Sequence, residues 1–216
     1  RTDATHLLDR YLLAKTRRLV ETVTEHMEAY DLSGATTEIQ GFIDALNNWY
    51  IRRSRNRFWA KTSGDNEADK RDAHDTLYTV LVTFSQVAAP FLPMVMEEIH
   101  TGLTGQPSVH LTDWPNPEDL PADPDLVEQM DRLRDVASTA LRLREDNGLR
   151  VRLPLPTLTV AGPNAEALND LIHLLTGEVN VKKVVLTEDL TQHASFVLQP
   201  NGQILGPRLG RGVQAV

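Results

Sequence analysis

Residues 47–59 read NNWYIRRSRNRFW. Four aromatics and four arginines crowd into this stretch, and it ends a longer apolar stripe. Ala35, Ile39, Phe42 or Ile43, Leu46, and Trp49 or Tyr50 recur three and four residues apart. That period belongs to one face of an α-helix. The spacing predicts a helix over 33–60, with Ser33-Gly34 supplying its cap and the break before it. On such a helix Asn48, Arg52 and Arg55 lie at i, i+4 and i+7 and share a face, with Arg53 and Arg57 on a neighbouring one.

Moving outward, the same period recurs. Leu8, Leu12, Leu19, Val23, Met27 and Tyr30 predict a helix over 6–30. Residues 61–70, KTSGDNEADK, are polar and read as a loop. Leu77, Leu81, Phe84 and Ala88, widened by Val80 and Val87, predict a buried helix over 68–89. Pro90 and Pro93 bracket a restart, followed by a helix carrying Leu92, Val95 or Met96, Ile99 and Leu103, which Gly102 and Gly105 end. The proline-rich stretch 109–125 is an extended connector, and a fifth helix over 124–146 stops at Asn147-Gly148. Beyond it, strands are expected at 153–162, 180–189 and 195–202, with a short helix at 164–175. The fold class is mainly α: an antiparallel helical bundle over 1–148, then a small α+β subdomain over 149–216 that is cut short.

Composition narrows the function. The 216 residues include no cysteine, which excludes a disulfide framework, a thiolate zinc site and a cysteine nucleophile. No apolar run approaches the length of a membrane span, and the N-terminus lacks the apolar core of a signal peptide, so a cytoplasmic location is expected. The chain begins at Arg1 without Met, as a piece of a longer protein would. Net charge is −8, but it is unevenly spread: residues 1–61 carry +2, 62–146 carry −11 and 147–216 carry +1. The sharpest basic cluster is Arg52, Arg53, Arg55, Arg57 and Lys61, with no carboxylate between Ala45 and Ser63. Local field, more than net charge, decides where a polyanion docks.

No phosphate loop, nucleophile elbow or HExxH pair is present, and the seven histidines are scattered, so no catalytic or metal residue is assigned. Glu97-Glu98 point about 100° apart on a helix and read as a solvated face. The chemistry that remains is recognition. Arginine holds a phosphate or a base edge bidentately and stacks; asparagine pairs with a base edge. Splayed single-stranded RNA is read by such combinations. Against this, Trp49 continues the apolar stripe and fits a core, and the arginines could pair with the acidic middle third. Arg142, Arg144, Arg150 and Arg152 form a second, weaker basic group, which fits a helix C-terminus as well as RNA.

NNWYIRRSRNRFW, then APFLPMVMEEIH, then SVHLTDWP, in that order and spacing, resemble the C-terminal region of class I aminoacyl-tRNA synthetases. The isoleucyl kind is nearest and the valyl kind next. VRLPLPTLTV and VNVKKVV are similar to the junction domain that follows the bundle there. The resemblance implies an anticodon-binding domain that grips tRNA(Ile) and orients it towards a catalytic domain elsewhere in the synthetase chain. It implies contacts from Asn48 and Arg52 to anticodon bases, and from Arg53, Arg55 and Arg57 to phosphates, with Trp49 as a neighbour. ATP and Mg would serve that catalytic domain, and nothing here holds a cofactor. A monomer that binds neither DNA nor membrane is expected. The synthetase HIGH-type and KMSKS-type signatures are missing, so this piece alone would not activate isoleucine. A protein-interaction bundle docking a basic partner on its acidic third is the rival reading.

Overall fold

Helix α1 (Leu7–Glu28) starts at His6, whose Nδ1 accepts from the Leu8 amide at 3.3 Å. The computed structural model describes residues 2–61 and 66–191. It divides into two compact units, Arg1–Ser138 and Thr139–Val216.

In the first unit, the stripe of α1 does not run on to Tyr30 as expected. Tyr30 leaves the helix at φ 57° and is 92% exposed. The Tyr30 and Asp31 amides return to the Met27 and His26 carbonyls at 3.1 and 2.8 Å. This paired closure is usually built on glycine. Asp31 then caps α2 (Leu32–Asp44) by accepting from the Gly34 amide at 2.9 Å. That bond, more than His26 at 3.0 Å, holds the Asp31 carboxyl below the usual carboxylate range. An added Cβ at Gly34 would crowd the Asp31 carboxylate and the His26 ring, so those side chains would have to shift from the cap.

The helix expected over 33–60 differs from an α-helix in its middle. After α2 the chain continues as a π-helical segment, Ala45–Ile51, and then as α3 (Arg52–Phe58). The buried positions supply the reason. Phe42, Leu46, Tyr50 and Ser54 are buried at strict four-residue spacing. At about 100° per residue, each such step overshoots a full α turn by about 40°. A wider i→i+5 turn takes that drift back. It also lets the adjacent pairs Ala45/Leu46 and Trp49/Tyr50 face the core together.

Helix α4 (Asn66–Ala88) buries Ala73, Thr76, Val80, Phe84 and Val87. Leu77 and Leu81, expected at the centre of that face, flank it. Phe84 stacks on Phe42 with centroids 5.4 Å apart. Helix α5 (Pro93–Thr104) contains Gly102 and ends at Gly105, whose φ of 69° needs glycine. Glu97 is not merely solvated: its Oε2 accepts from the Val109 amide at 2.8 Å and from Ser108 Oγ at 3.0 Å. The connector before α6 (Pro124–Asp146) makes two 3₁₀ turns and is pinned to α1. Trp114 Nε1 donates to Thr24 Oγ1 at 2.9 Å, Arg17 donates to the Leu120 carbonyl at 3.1 Å, and Arg10 pairs with Asp123 at 2.7 Å.

In the second unit, β1 (Leu155–Ala161) and β2 (Val181–Thr187) pair in parallel, from Leu155 opposite Val181 to Ala161 opposite Thr187. Parallel neighbours require a crossover. Residues Ala165–Leu171, a 3₁₀ turn, and α7 (Ile172–Val179) provide it, burying Leu168, Leu171, Leu175 and Val179. The strand expected at 195–202 lies outside the described residues. Among those described, no helix is long and apolar enough to cross a membrane.

Candidate nucleic-acid interface

The π-helical segment and α3 carry the residues singled out by sequence, and they sort into a presented set and a structural set. Asn48, Arg52 and Arg55 are exposed along one stripe, and Arg53 is half-buried beside it. Trp49 and Arg57 are turned to other work.

Asn48 is held from behind. Its Nδ2 donates to Asp44 Oδ1 at 2.6 Å. A carboxylate only accepts, so this bond fixes which end of the amide faces Asp44 and turns Oδ1 away. Asp44 in turn accepts from Arg134 at 2.5 Å. Arg134 reaches Asp131 at 3.1 Å and the Tyr11 hydroxyl at 3.3 Å, while Lys15 donates to both Asp131 oxygens at 2.9 and 2.7 Å. Burial, then the Asp131 charge, pushes the Tyr11 phenol up, so it stays a neutral donor. A chain of ionic bonds therefore runs from α1 and α6 to the Asn48 amide. One turn on, Arg52 Nε donates to the Asn48 carbonyl at 2.8 Å, which lays its side chain back along the helix.

Arg55 and Trp59 form the outer end of the stripe. The Arg55 guanidinium lies 4.1 Å from the centroid of the Trp59 ring, and Trp59 is 71% exposed. Among the described residues, Arg55 has no carboxylate partner.

Trp49 is 4% exposed and its Nε1 points at Met130 Sδ, 3.3 Å away. Arg53 covers the ring at 4.6 Å. The apolar stripe, rather than a ligand, claims this indole. Arg57, expected beside phosphates, instead closes the bundle. Its two Nη atoms donate to the Asp9 carboxylate at 2.7 and 2.8 Å, and its Nε donates to Asp69 at 2.9 Å. Asp9 is fully buried and also accepts from the Tyr50 hydroxyl at 2.8 Å. Burial opposes the Arg57 charge, but the bonds to Asp9 and Asp69 outweigh it and hold the guanidinium more firmly protonated than a free one. Burial and the Asp9 charge likewise raise the Tyr50 phenol.

Sequence reasoning missed Asp44 and Trp59. Asp44 lies four residues before Asn48, a spacing that could have flagged it. Trp59 is the last aromatic of the quoted stretch, and only its exposure sets it apart from Trp49.

The second basic group separates in the same way. Arg144 is 3% exposed and donates to the carbonyls of Arg150, Val151 and Leu153, so it clamps the loop after α6. Arg150 and Arg152 are exposed. No group of three or more metal-ligating side chains occurs among the described residues.

Residues 9–159 match the family described as the anticodon-binding domain of tRNA ligase. The whole chain is 52% identical to part of the isoleucine–tRNA ligase of Nocardia farcinica, covering 20% of that protein. It is 49% identical to the isoleucine–tRNA ligase of Mycobacterium tuberculosis, again over 20% of its length. To that of Tropheryma whipplei it is 40% identical, with 99% of this chain and 19% of the relative aligned. The chain thus spans about a fifth of the curated relatives it matches.

Proposed function

Because the chain belongs to the anticodon-binding domain family of tRNA ligases, we propose that its first unit binds the anticodon stem and loop of tRNA(Ile). The observation that carries this is the exposed stripe Asn48–Arg52–Arg55, set in a segment without carboxylates from Ala45 to Ser63. Asn48, braced by Asp44, presents its amide to a base edge. Arg52 offers a planar fork to a base or phosphate, and Arg53 and Arg55 neutralise the backbone. Trp49 and Arg57 support this surface from inside. Aminoacylation with isoleucine, ATP and Mg belongs to the remainder of a longer cytoplasmic, monomeric ligase, for which this piece sets the tRNA in place.

The rival docking of a basic protein on the acidic middle third has less to work with, because Asp69, Asp123 and Asp131 are committed to Arg57, Arg10 and Lys15. The valyl alternative differs in the tRNA bound. The test is filter binding of the chain to tRNA(Ile), tRNA(Val) and tRNA(Ile) with altered anticodons. Preferential retention of tRNA(Ile) that Asn48→Ala erodes supports the proposal. Equal retention of all three RNAs, or no retention at low salt, overturns it.

A further inference from the structure

Three tryptophans occur in the chain, and the structure treats them differently. Trp49 is sealed in the core, and Trp114 is tied by its Nε1 to Thr24. Among the described residues the Trp59 ring meets no hydrogen-bond acceptor, and 71% of the residue's surface is open. A lone exposed apolar residue is ordinary. This one is distinguished by where it stands. Asn48, Arg52, Arg55 and Trp59 follow at steps of four, three and four, so the indole extends the exposed stripe by one turn. Its backbone is fixed as the cap of α3, with the Trp59 amide donating to the Arg55 carbonyl at 3.1 Å. Arg55 covers one face of the ring at 4.1 Å.

The contrast with Trp49 is informative. Both indoles carry a guanidinium four residues away, at 4.6 and 4.1 Å. In one the stack is closed within the protein; in the other it lacks its outer layer. An arginine-backed indole at the end of a basic segment that carries no carboxylate of its own suits a flat, electron-rich partner attached to a polyanion. That describes an unpaired nucleobase.

We infer that Trp59 is a stacking platform for one unpaired base of the bound RNA, with Arg55 as the layer beneath it. This deepens the RNA-binding reading above and rests on it. Stacking engages the face that every base has, so Trp59 supplies affinity without selecting the base, and selection stays with Asn48.

The test uses the full chain and an RNA hairpin carrying the isoleucine anticodon loop. Trp59→Ala and Trp59→Leu should weaken binding about fivefold to hundredfold. Trp59→Phe, which keeps a ring, should stay near wild type. An abasic site at one unpaired loop position should weaken the wild type by a similar factor and add nothing to Trp59→Ala. Exchanging the base at that position should change little. Wild-type binding that neither Trp59→Ala nor Trp59→Leu alters overturns this inference and leaves the RNA-binding reading standing. So does a loss that no abasic position reproduces. A hairpin that the wild type does not bind at low salt overturns both.

Discussion

Arg57 donates two parallel hydrogen bonds to the Asp9 carboxylate, at 2.7 and 2.8 Å, although 48 residues separate them. The pair ties the end of α3 to the first turn of α1, and the link to Asp69 adds α4. Asp9 has no exposed surface, and the Arg57 side chain is 11% exposed. Removing one partner of such a pair leaves an uncompensated buried charge, a loss of about 3–5 kcal/mol. Arg57→Ala should therefore lower the urea midpoint of the bundle sharply, and Arg57→Lys should recover little, because an ammonium has no fork. A midpoint for Arg57→Ala close to wild type would remove this pair as a keystone.

Asp44 should act on specificity through Asn48. Asn48→Ala is expected to cost about 1–3 kcal/mol of discrimination between cognate and altered anticodons, the worth of a good base-edge contact. Asp44→Ala should cost part of the same discrimination. The double variant should cost no more than Asn48→Ala alone, because the two act as one unit. Competition binding with RNAs of altered anticodon measures all three. Additive losses would separate Asp44 from Asn48.

Salt dependence counts the cations that meet phosphate. With Arg57 turned inward, contact of the other four cations of the cluster, Arg52, Arg53, Arg55 and Lys61, with phosphate would contribute at most roughly 0.7 × 4, or about 2.8, to the slope of log K against log salt. Arg55→Ala should reduce the measured slope by about 0.7. Arg57→Lys should leave the slope of the folded fraction unchanged. An equal reduction from Arg57→Lys would place that guanidinium on the RNA.

The cap of α1 should make the bundle sensitive to acid. His6 Nδ1 accepts from the Leu8 amide and from Arg57 Nη1, each at 3.3 Å, so it must be unprotonated. Burial, then the Arg57 charge, holds His6 below its ordinary value of 6.5. The unfolded chain therefore takes up this proton at higher pH than the folded one. The stability concerned is complete above the unfolded value and is lost as pH falls through the lower native one. His6→Asn keeps a good cap without the titration. Between about pH 7.5 and 5.5, wild type should lose more stability than His6→Asn. Identical losses would assign the acid sensitivity to other groups.

Much of the first unit was legible because helical burial repeats within a window of local sequence. Leu8, Leu12, Leu19 and Val23 on α1, and Leu126, Met130, Leu133 and Ala137 on α6, are buried as their spacing requires. The stop at Asn147-Gly148 is a paired closure, with the Gly148 and Leu149 amides returning to Glu145 and Arg144. The π-helical segment was hidden because four-residue spacing fits a drifting α-helix as well as a widened one. Only the neighbours that bury Leu46, Tyr50 and Ser54 together decide between them. The presented stripe was readable for a similar local reason. The fate of Arg57 was not, because Asp9 and Asp69 are chosen by how three helices meet, and no short-range pattern encodes that. The parallel order of β1 and β2 is a pairing across a crossover and was equally silent.

The wide turn at Ala45–Ile51 sets the azimuth of everything after it. Were the same residues wound as an ordinary α-helix, the one extra residue that the wide turn holds would swing α3 about its own axis by about 100°. Ser54 and Arg57 would swing away from the core, and Arg52 and Arg55 would be carried off the outer flank. The presented cations and the inward keystone are thus phased by one local overcount of residues.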